Sequence, residues 1–437
     1  MSRRTALSAV VAGVVFLVVS VAGFYTVAVD DAAPAPPVQR SAAAQVDPLM
    51  ASIRAAQQRL AGVPGDYVTW AQLGAAYVER ARVTADPSYY DKADGALHES
   101  LSRRPEGNDA ALTGQGALAN ARHDFAAAAE FAGQALAINA YNATAWGVLT
   151  DARTQLGDYP GATEALHRML ALKPGLASFT RASYDAELHG NRAAARAALE
   201  QALATTQDDA GEAFCRTYLG GLAFSAGDLD EASAQYEAGL VAAPGDPALT
   251  IGRARVLAAR GEVDAAVTAY QAAVDARPLP EYLVEFGEYL ESQGRGDAAG
   301  RQFALVGTVR ALFVASGVND DLTTALFAAD HGDPTTAVDA ARAEFGRRQN
   351  IDAQDALAWA LHSAGRDVEA LPHAQQATAL GGAGALFLYH RGVIEAAVGQ
   401  VHAARSTLAQ AVDTNPHFSP LHARQASDLL ASLGGRP

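Results

Sequence analysis

The sequence predicts an all-α fold, a solenoid of about ten helix-turn-helix units, and three observations predict it. The first is composition: 437 residues contain 102 alanines and 7% aromatic residues. Alanine is the strongest helix former and lets helices approach closely, whereas a β-sandwich is built on branched and aromatic side chains. The second is periodicity. Alanine recurs at Ala93, Ala128, Ala162, Ala195, Ala232, Ala266, Ala299, Ala337, Ala370 and Ala404, at spacings of 35, 34, 33, 37, 34, 33, 38, 33 and 34. The third is a glycine five residues before eight of these alanines: Gly157, Gly190, Gly227, Gly261, Gly294, Gly332, Gly365 and Gly399. Glycine at that offset suits a left-handed helix C-cap, and a recurrent unit of this length is the signature of a repeat array.

The elements follow in chain order. Arg3 and Arg4 precede an uncharged run of 24 residues, Ala6 to Val29, and Asp30 and Asp31 follow it. As a helix this run is about 36 Å long, against a hydrocarbon core of about 30 Å. It is long for a cleaved leader, so residues 1–30 are expected to be a retained single-pass anchor. The flanking charges place the N-terminus inside and the array outside. Cleaved export, after Thr26-Val27-Ala28, is the alternative. Residues 31–46 are rich in Ala and Pro and read as a linker.

Residues 47–60 read as a leading helix, and residues 47–306 hold it with repeats one to seven. Each unit's second helix carries the small alanine, and in seven units a larger apolar residue follows four residues later: Leu97, Leu166, Leu199, Tyr236, Tyr270, Phe303 and Leu408. Both lie on one helical face, so they are core. Trp70, Trp146, Phe179 and Leu283 are core residues of first helices. Proline closes several units at Pro105, Pro174, Pro244, Pro278 and Pro416. None appears near residues 307–320. There the second helix of unit seven is expected to run on through Val314, with a bend between sub-arrays 67–306 and 318–415. Residues 307–437 hold repeats eight to ten and a polar-faced capping helix at 420–433.

Trp70-Ala71-Gln72-Leu73-Gly74-Ala75-Ala76-Tyr77 reads W-x2-L-G-x2-Y and is followed by Ala93, Leu97 and Pro105. The array therefore resembles the tetratricopeptide repeat family. That resemblance implies a right-handed superhelix whose first helices line a concave groove for a protein or peptide. By register it implies groove positions at Tyr184, Phe214, Thr217, Phe224, Arg255, Glu285 and Glu288, and at Asp355, Trp359, His362 and Tyr389. Some members clamp a terminal carboxylate with Lys and Asn on first helices. Here Lys92 starts a second helix and Lys173 ends one, so the Hsp70/Hsp90-type clamp is not expected.

Composition narrows the chemistry. Half the residues are hydrophobic, which excludes disorder throughout. The net charge of −15 argues against nucleic acid, since phosphate is repelled. A lone Cys215 forbids an internal disulfide and a cysteine zinc site. No nucleophile elbow, Walker loop, H-E-x-x-H or EF-hand loop is present, so no catalytic residue, cofactor or metal ligand is assigned. Gly381-Gly382-Ala383-Gly384 reads as a connecting loop. Six of eleven histidines follow residue 360, none at i, i+4 spacing. With 31 arginines and two lysines, the composition points to a GC-rich bacterial genome. The expected function is a scaffold at the outer face of the cytoplasmic membrane, held there by residues 6–29. A metal-handling factor using the C-terminal histidines, or a soluble exported array, is the rival reading.

Overall fold

The computed structural model describes residues 47–437, and all regular structure there is helical. The expected anchor and linker lie outside the described residues. Among the described residues no helix is long and apolar enough to cross a membrane.

A leading helix, α1 (Pro48–Gly62), precedes ten antiparallel hairpins. Hairpins one to three pair α2 (Tyr67–Thr84) with α3 (Ser88–Arg103), α4 (Asp109–Ala121) with α5 (Phe125–Ile138), and α6 (Ala143–Leu156) with α7 (Tyr159–Leu172). Hairpins four to six pair α8 (Leu176–Leu188) with α9 (Arg192–Ala204), α10 (Asp209–Ser225) with α11 (Leu229–Ala242), and α12 (Pro247–Ala259) with α13 (Val263–Ala276). Hairpins seven and eight pair α14 (Pro280–Ser292) with α15 (Gly296–Ala315), and α16 (Asp321–His331) with α17 (Pro334–Arg347). Hairpins nine and ten pair α18 (Ile351–Ser363) with α19 (Asp367–Ala377), and α20 (Ala385–Ala397) with α21 (Val401–Thr414). A last helix, α22 (His422–Ser432), packs on α20 and α21. Helix α15 does run on, to Ala315.

Local chemistry starts and stops these helices. Asp or Asn caps most N-termini, its side chain accepting from a first-turn amide: Asp66, Asn108, Asn142, Asp246 and Asn350 before first helices. Asp124, Asp158, Asn191, Asp228 and Asp333 do the same before second helices. Such a cap stabilises its helix by about 1 kcal/mol. Seven of the eight turn glycines have φ between 72° and 85°. Gly332 departs, with φ −128°. It is small for another reason: a Cβ there would lie 3.0 Å from Ala328 Cα. In hairpin two the same offset holds His123, at φ 62°.

The ten periodic alanines are each 2% exposed or less. Helices of one hairpin approach almost backbone to backbone, so a Cβ on Gly74 would come 3.2 Å from the Ala93 carbonyl oxygen. At Leu97, Tyr236, Phe303 and Leu408 the large residue that follows fills the space opened by a glycine on a facing helix. Tyr236 is the clearest case: its ring lies against both Gly220 and Gly252, where any Cβ would clash. Burying each such side chain contributes about 1.5–3 kcal/mol.

The array also coils onto itself, with one offset throughout. The turn inside hairpin n touches the loop that follows hairpin n + 5. Arg277 donates to the Val83 carbonyl at 3.0 Å. The Asn319 amide donates to the Arg122 carbonyl at 3.2 Å. Arg348 and Asn350 both donate to the Gln155 side chain, and the Ile351 amide donates to the Tyr159 hydroxyl at 2.8 Å. The Gly382 amide donates to the Leu188 carbonyl at 3.1 Å. Asn415 Nδ2 donates to the Phe224 carbonyl at 2.9 Å. These five seams bring successive turns of the coil into contact.

Candidate binding interior

Closing the turns brings side chains of distant hairpins together on the inward side of the first helices. Tyr184 and Glu187 come from α8, Phe214 and Tyr218 from α10, and Glu281 and Tyr282 from α14. Phe214 and Tyr218 pack with ring centroids 4.7 Å apart. Tyr218 lies within electrostatic reach of Arg82, Tyr282 and Glu187, on hairpins one, seven and four. Tyr184 is likewise in reach of Asp352 and Tyr159, on hairpins nine and three. The wall thus faces itself across the coil.

Glu281 is exposed at the start of α14, and the surrounding protein pushes its carboxyl up to about 7 by desolvation. Desolvation also raises Glu187 and Tyr218. At the wall, Arg255 holds Glu285 in a bidentate pair at 2.7 and 2.6 Å, and the Tyr270 hydroxyl donates to the same carboxylate at 2.9 Å. Burial opposes the Arg255 charge, but Glu285 outweighs it and raises its pKa. A parallel pair, Arg181 with Asp151 at 2.7 and 2.6 Å, joins hairpins three and four. Burial pushes Asp151 up to about 6 against the pull of Arg181.

The sequence-expected groove positions divide into two sets. Tyr184, Phe214, Thr217, Phe224, Arg255 and His362 are half-buried. Glu285, Glu288, Asp355, Trp359 and Tyr389 are 5% exposed or less. They pack against a neighbouring hairpin or the capping helix, so they lie inside the wall and not on its surface. Trp359 Nε1 donates to Asp330 at 2.7 Å, and its ring stacks on His390 at 4.0 Å. Asp355 holds His390 Nδ1 at 2.9 Å. The Tyr389 hydroxyl donates to Gln425 at 2.7 Å, and its ring stacks on His422. His362 Nδ1 meets Asp367.

These residues belong to a buried polar cluster that runs through hairpins seven to ten. Burial, then neighbouring carboxylates, holds Glu288 and Asp330 well above the usual carboxyl range. Burial lowers His331 to about 4 and His422 well below its ordinary value. Burial thus disfavours the charged forms of Glu288, Asp330, His331 and His422. His390 Nε2, Asp330 Oδ2 and both His422 ring nitrogens lack a hydrogen-bond partner among the described residues. The C-terminal histidines do not converge on a metal: among the described residues no group of three or more His, Cys, Asp or Glu is placed to hold one. Cys215 is buried, and burial pushes its thiol up to about 12.

Tyr218, Tyr282, Glu187 and Glu281 are wall residues that sequence reasoning missed. One signal was available for Glu281. It stands 18 residues before its hairpin's alanine, Ala299, as Phe214 does before Ala232.

No protein-family profile matches the chain, and no curated protein matches it. Solved structures similar to it include TTC0263, a TPR protein of Thermus thermophilus, at 22% identity, 48% of this chain, 98% of that chain and TM-score 0.37. The Cut9–Hcn1 hetero-tetramer of the APC/C is similar at 10% identity, 88% of this chain, 87% of that chain and TM-score 0.44. Yeast Tom70 is similar at 11% identity, 88% of this chain, 95% of that chain and TM-score 0.38.

Proposed function

We propose that this protein is an interaction scaffold that binds an extended segment of a partner protein inside its coil. The observation that carries this reading is the aromatic lining of the coil's inward face: Tyr184, Phe214, Tyr218 and Tyr282 come from three hairpins and are half-buried. Rigid aromatic side chains supply large contact area at low entropic cost. The inward face of a coil whose successive turns touch favours a strand of chain over a folded domain. The uncharged run 6–29 would hold the array at the outer face of a cytoplasmic membrane.

Selection of displayed random peptides on the full chain tests the binding role. Selected peptides should lose affinity with Phe214→Ala or Tyr218→Ala and keep it with Tyr141→Ala, since Tyr141 is 83% exposed in the loop between hairpins two and three. Equal loss, or no loss in any variant, would refute the interior as the binding site. Fractionation with a C-terminal antibody tests the location; release from membranes by salt alone refutes the anchor.

A further inference from the structure

Helix α15 has two apolar faces, and the array uses one of them. The helix runs for 20 residues, where the other second helices have 11 to 16. Its Ala299, Gln302 and Val306 are buried. Phe303 and Val309 pack into the apolar cluster of hairpins six and seven, and Phe313 packs against the cluster that holds Tyr77 and Tyr90. The opposite face is open. Leu305 is 46% and Leu312 61% exposed, and Ala304, Thr308, Ala311 and Ala315 beside them are exposed as well. From Gln302 to Ser316 the one charged residue is Arg310, which is turned back onto Asp320 at 2.9 Å. Other second helices expose charge instead, as with Arg196 and Glu200 on α9 and Asp264 and Asp275 on α13.

The open face has the spacing of a helix seam. Leu305, Thr308, Leu312 and Ala315 follow one another at 3, 4 and 3 residues, the a and d positions of a heptad. A stripe this narrow is matched to one other helix. A helix resting on a bilayer carries large apolar residues flanked by several Lys or Arg, whereas Arg301 is the one exposed cation of α15.

The pattern is also complementary to itself. With a second copy laid antiparallel, a against d, Leu305 meets the partner's Ala315 and Leu312 meets the partner's Thr308. Each layer then sets a large side chain against a small one. A parallel pair would stack leucine on leucine and leave gaps at Thr308 and Ala315. In the antiparallel pair Arg301 lies just beyond the partner's last turn, where a cation faces the negative end of the helix dipole.

We propose that the open face of α15 is the contact between two copies of this chain, paired antiparallel through Leu305, Thr308, Leu312 and Ala315. The pairing is separate from the binding role above and sets two coils side by side.

Sedimentation velocity on the full chain, in mild detergent, tests it. The chain should sediment as a dimer, and Leu312→Ala should raise the dissociation constant at least about tenfold. Leu305→Glu/Leu312→Glu, with its fold checked by circular dichroism, should be monomeric at the same concentration. Raising salt should strengthen the pairing, because each copy carries a net charge of −15. Cross-linking reads the register and separates this contact from any made by residues 6–29. On a Cys215→Ala background, Thr308→Cys and Leu312→Cys chains mixed together should form a disulfide on mild oxidation. The yield should exceed that of either chain alone and of Tyr141→Cys, whose site is 83% exposed.

A monomer throughout, a dimer unchanged by the double variant, or pairing that weakens with salt overturns the proposal. So does mixed cross-linking no greater than that of the single chains or of Tyr141→Cys. An environment-sensitive dye on the Leu312→Cys chain that reports apolar surroundings only when vesicles are added, with no mixed cross-link, assigns the face to lipid and overturns it as well.

Discussion

Arg348 and Gln155 stand 193 positions apart in the chain and meet side chain to side chain in a buried seam. Arg348 is 2% exposed and also holds Glu344, itself 2% exposed, while its guanidinium lies 5.0 Å from the Phe125 ring centroid. Arg348→Met should lower stability by about 3 kcal/mol, the low end for breaking a buried pair. Arg347 still reaches Glu344 and keeps the loss from being larger. Urea unfolding measures it. A loss under about 0.5 kcal/mol would show the seam to be energetically idle.

Gly382 should be intolerant of any side chain. A Cβ there would overlap the Glu187 and Leu188 carbonyl oxygens of the turn below. Gly382→Ala should open that seam, cost about 1–3 kcal/mol and raise amide exchange in residues 186–191. Gly384→Ala is the control, because nothing lies within 4 Å of its Cβ. Equal exchange in both variants would contradict the seam.

Tyr236 and Gly252 should be coupled. Gly252→Ala drives a methyl into the Tyr236 ring and should cost about 1–3 kcal/mol by overpacking. Adding Tyr236→Leu should make the double variant lose less than the sum of the singles. Strict additivity in a double-mutant cycle would count against this packing.

His422 should make the protein acid-sensitive. Its folded pKa lies well below the ordinary 6.5, lowered by burial and then by His390 and His331. Unfolding lets it bind a proton, so its contribution is fully present above pH 6.5 and is lost as pH falls below that value. The slope approaches about 1.4 kcal/mol per pH unit for one proton. The raised carboxyls of Glu288 and Asp330 work in the opposite sense, losing stability as pH rises above their unfolded values. His422→Phe keeps a ring against Tyr389 and should flatten the loss between pH 6.5 and 5. Parallel curves of urea midpoint against pH would exclude His422 as the source.

The hairpins are legible in the sequence because each needs the same small residue at the same place. Ala93 to Ala404 obey one local constraint, the close approach of two helices, and a local constraint repeats with the chain. The seams obey no such rule. Gln155, Arg348, Asn350 and Asn319 are ordinary polar residues whose roles depend on how the whole array coils. His123 is a faint sign, standing where its neighbours carry glycine and turned toward the Asn319 carbonyl at 2.6 Å. The Gly381–Gly384 stretch is legible as a connection, but the reason it must be glycine is not. Among wall residues, register alone cannot separate Tyr184 from Trp359. Whether a first-helix residue faces the lumen or is covered depends on what the next hairpin and the last helix place over it.

An open row of repeats touches only nearest neighbours, and such a row can fray from either end one unit at a time. The constant offset of five turns that row into a sheet rolled on a cylinder, in which each unit has neighbours along the chain and across the winding. Losing an end unit then breaks two kinds of bond at once, and cooperativity extends beyond adjacent units. The cost is kinetic: contacts between residues nearly two hundred positions apart close large loops, and topologies rich in them fold slowly. Unit number is also constrained. Excising one hairpin from the middle would shift every later loop against the turn it meets, placing Asn415-Pro416 where Gly381-Gly382 now sits and mismatching the remaining seams together.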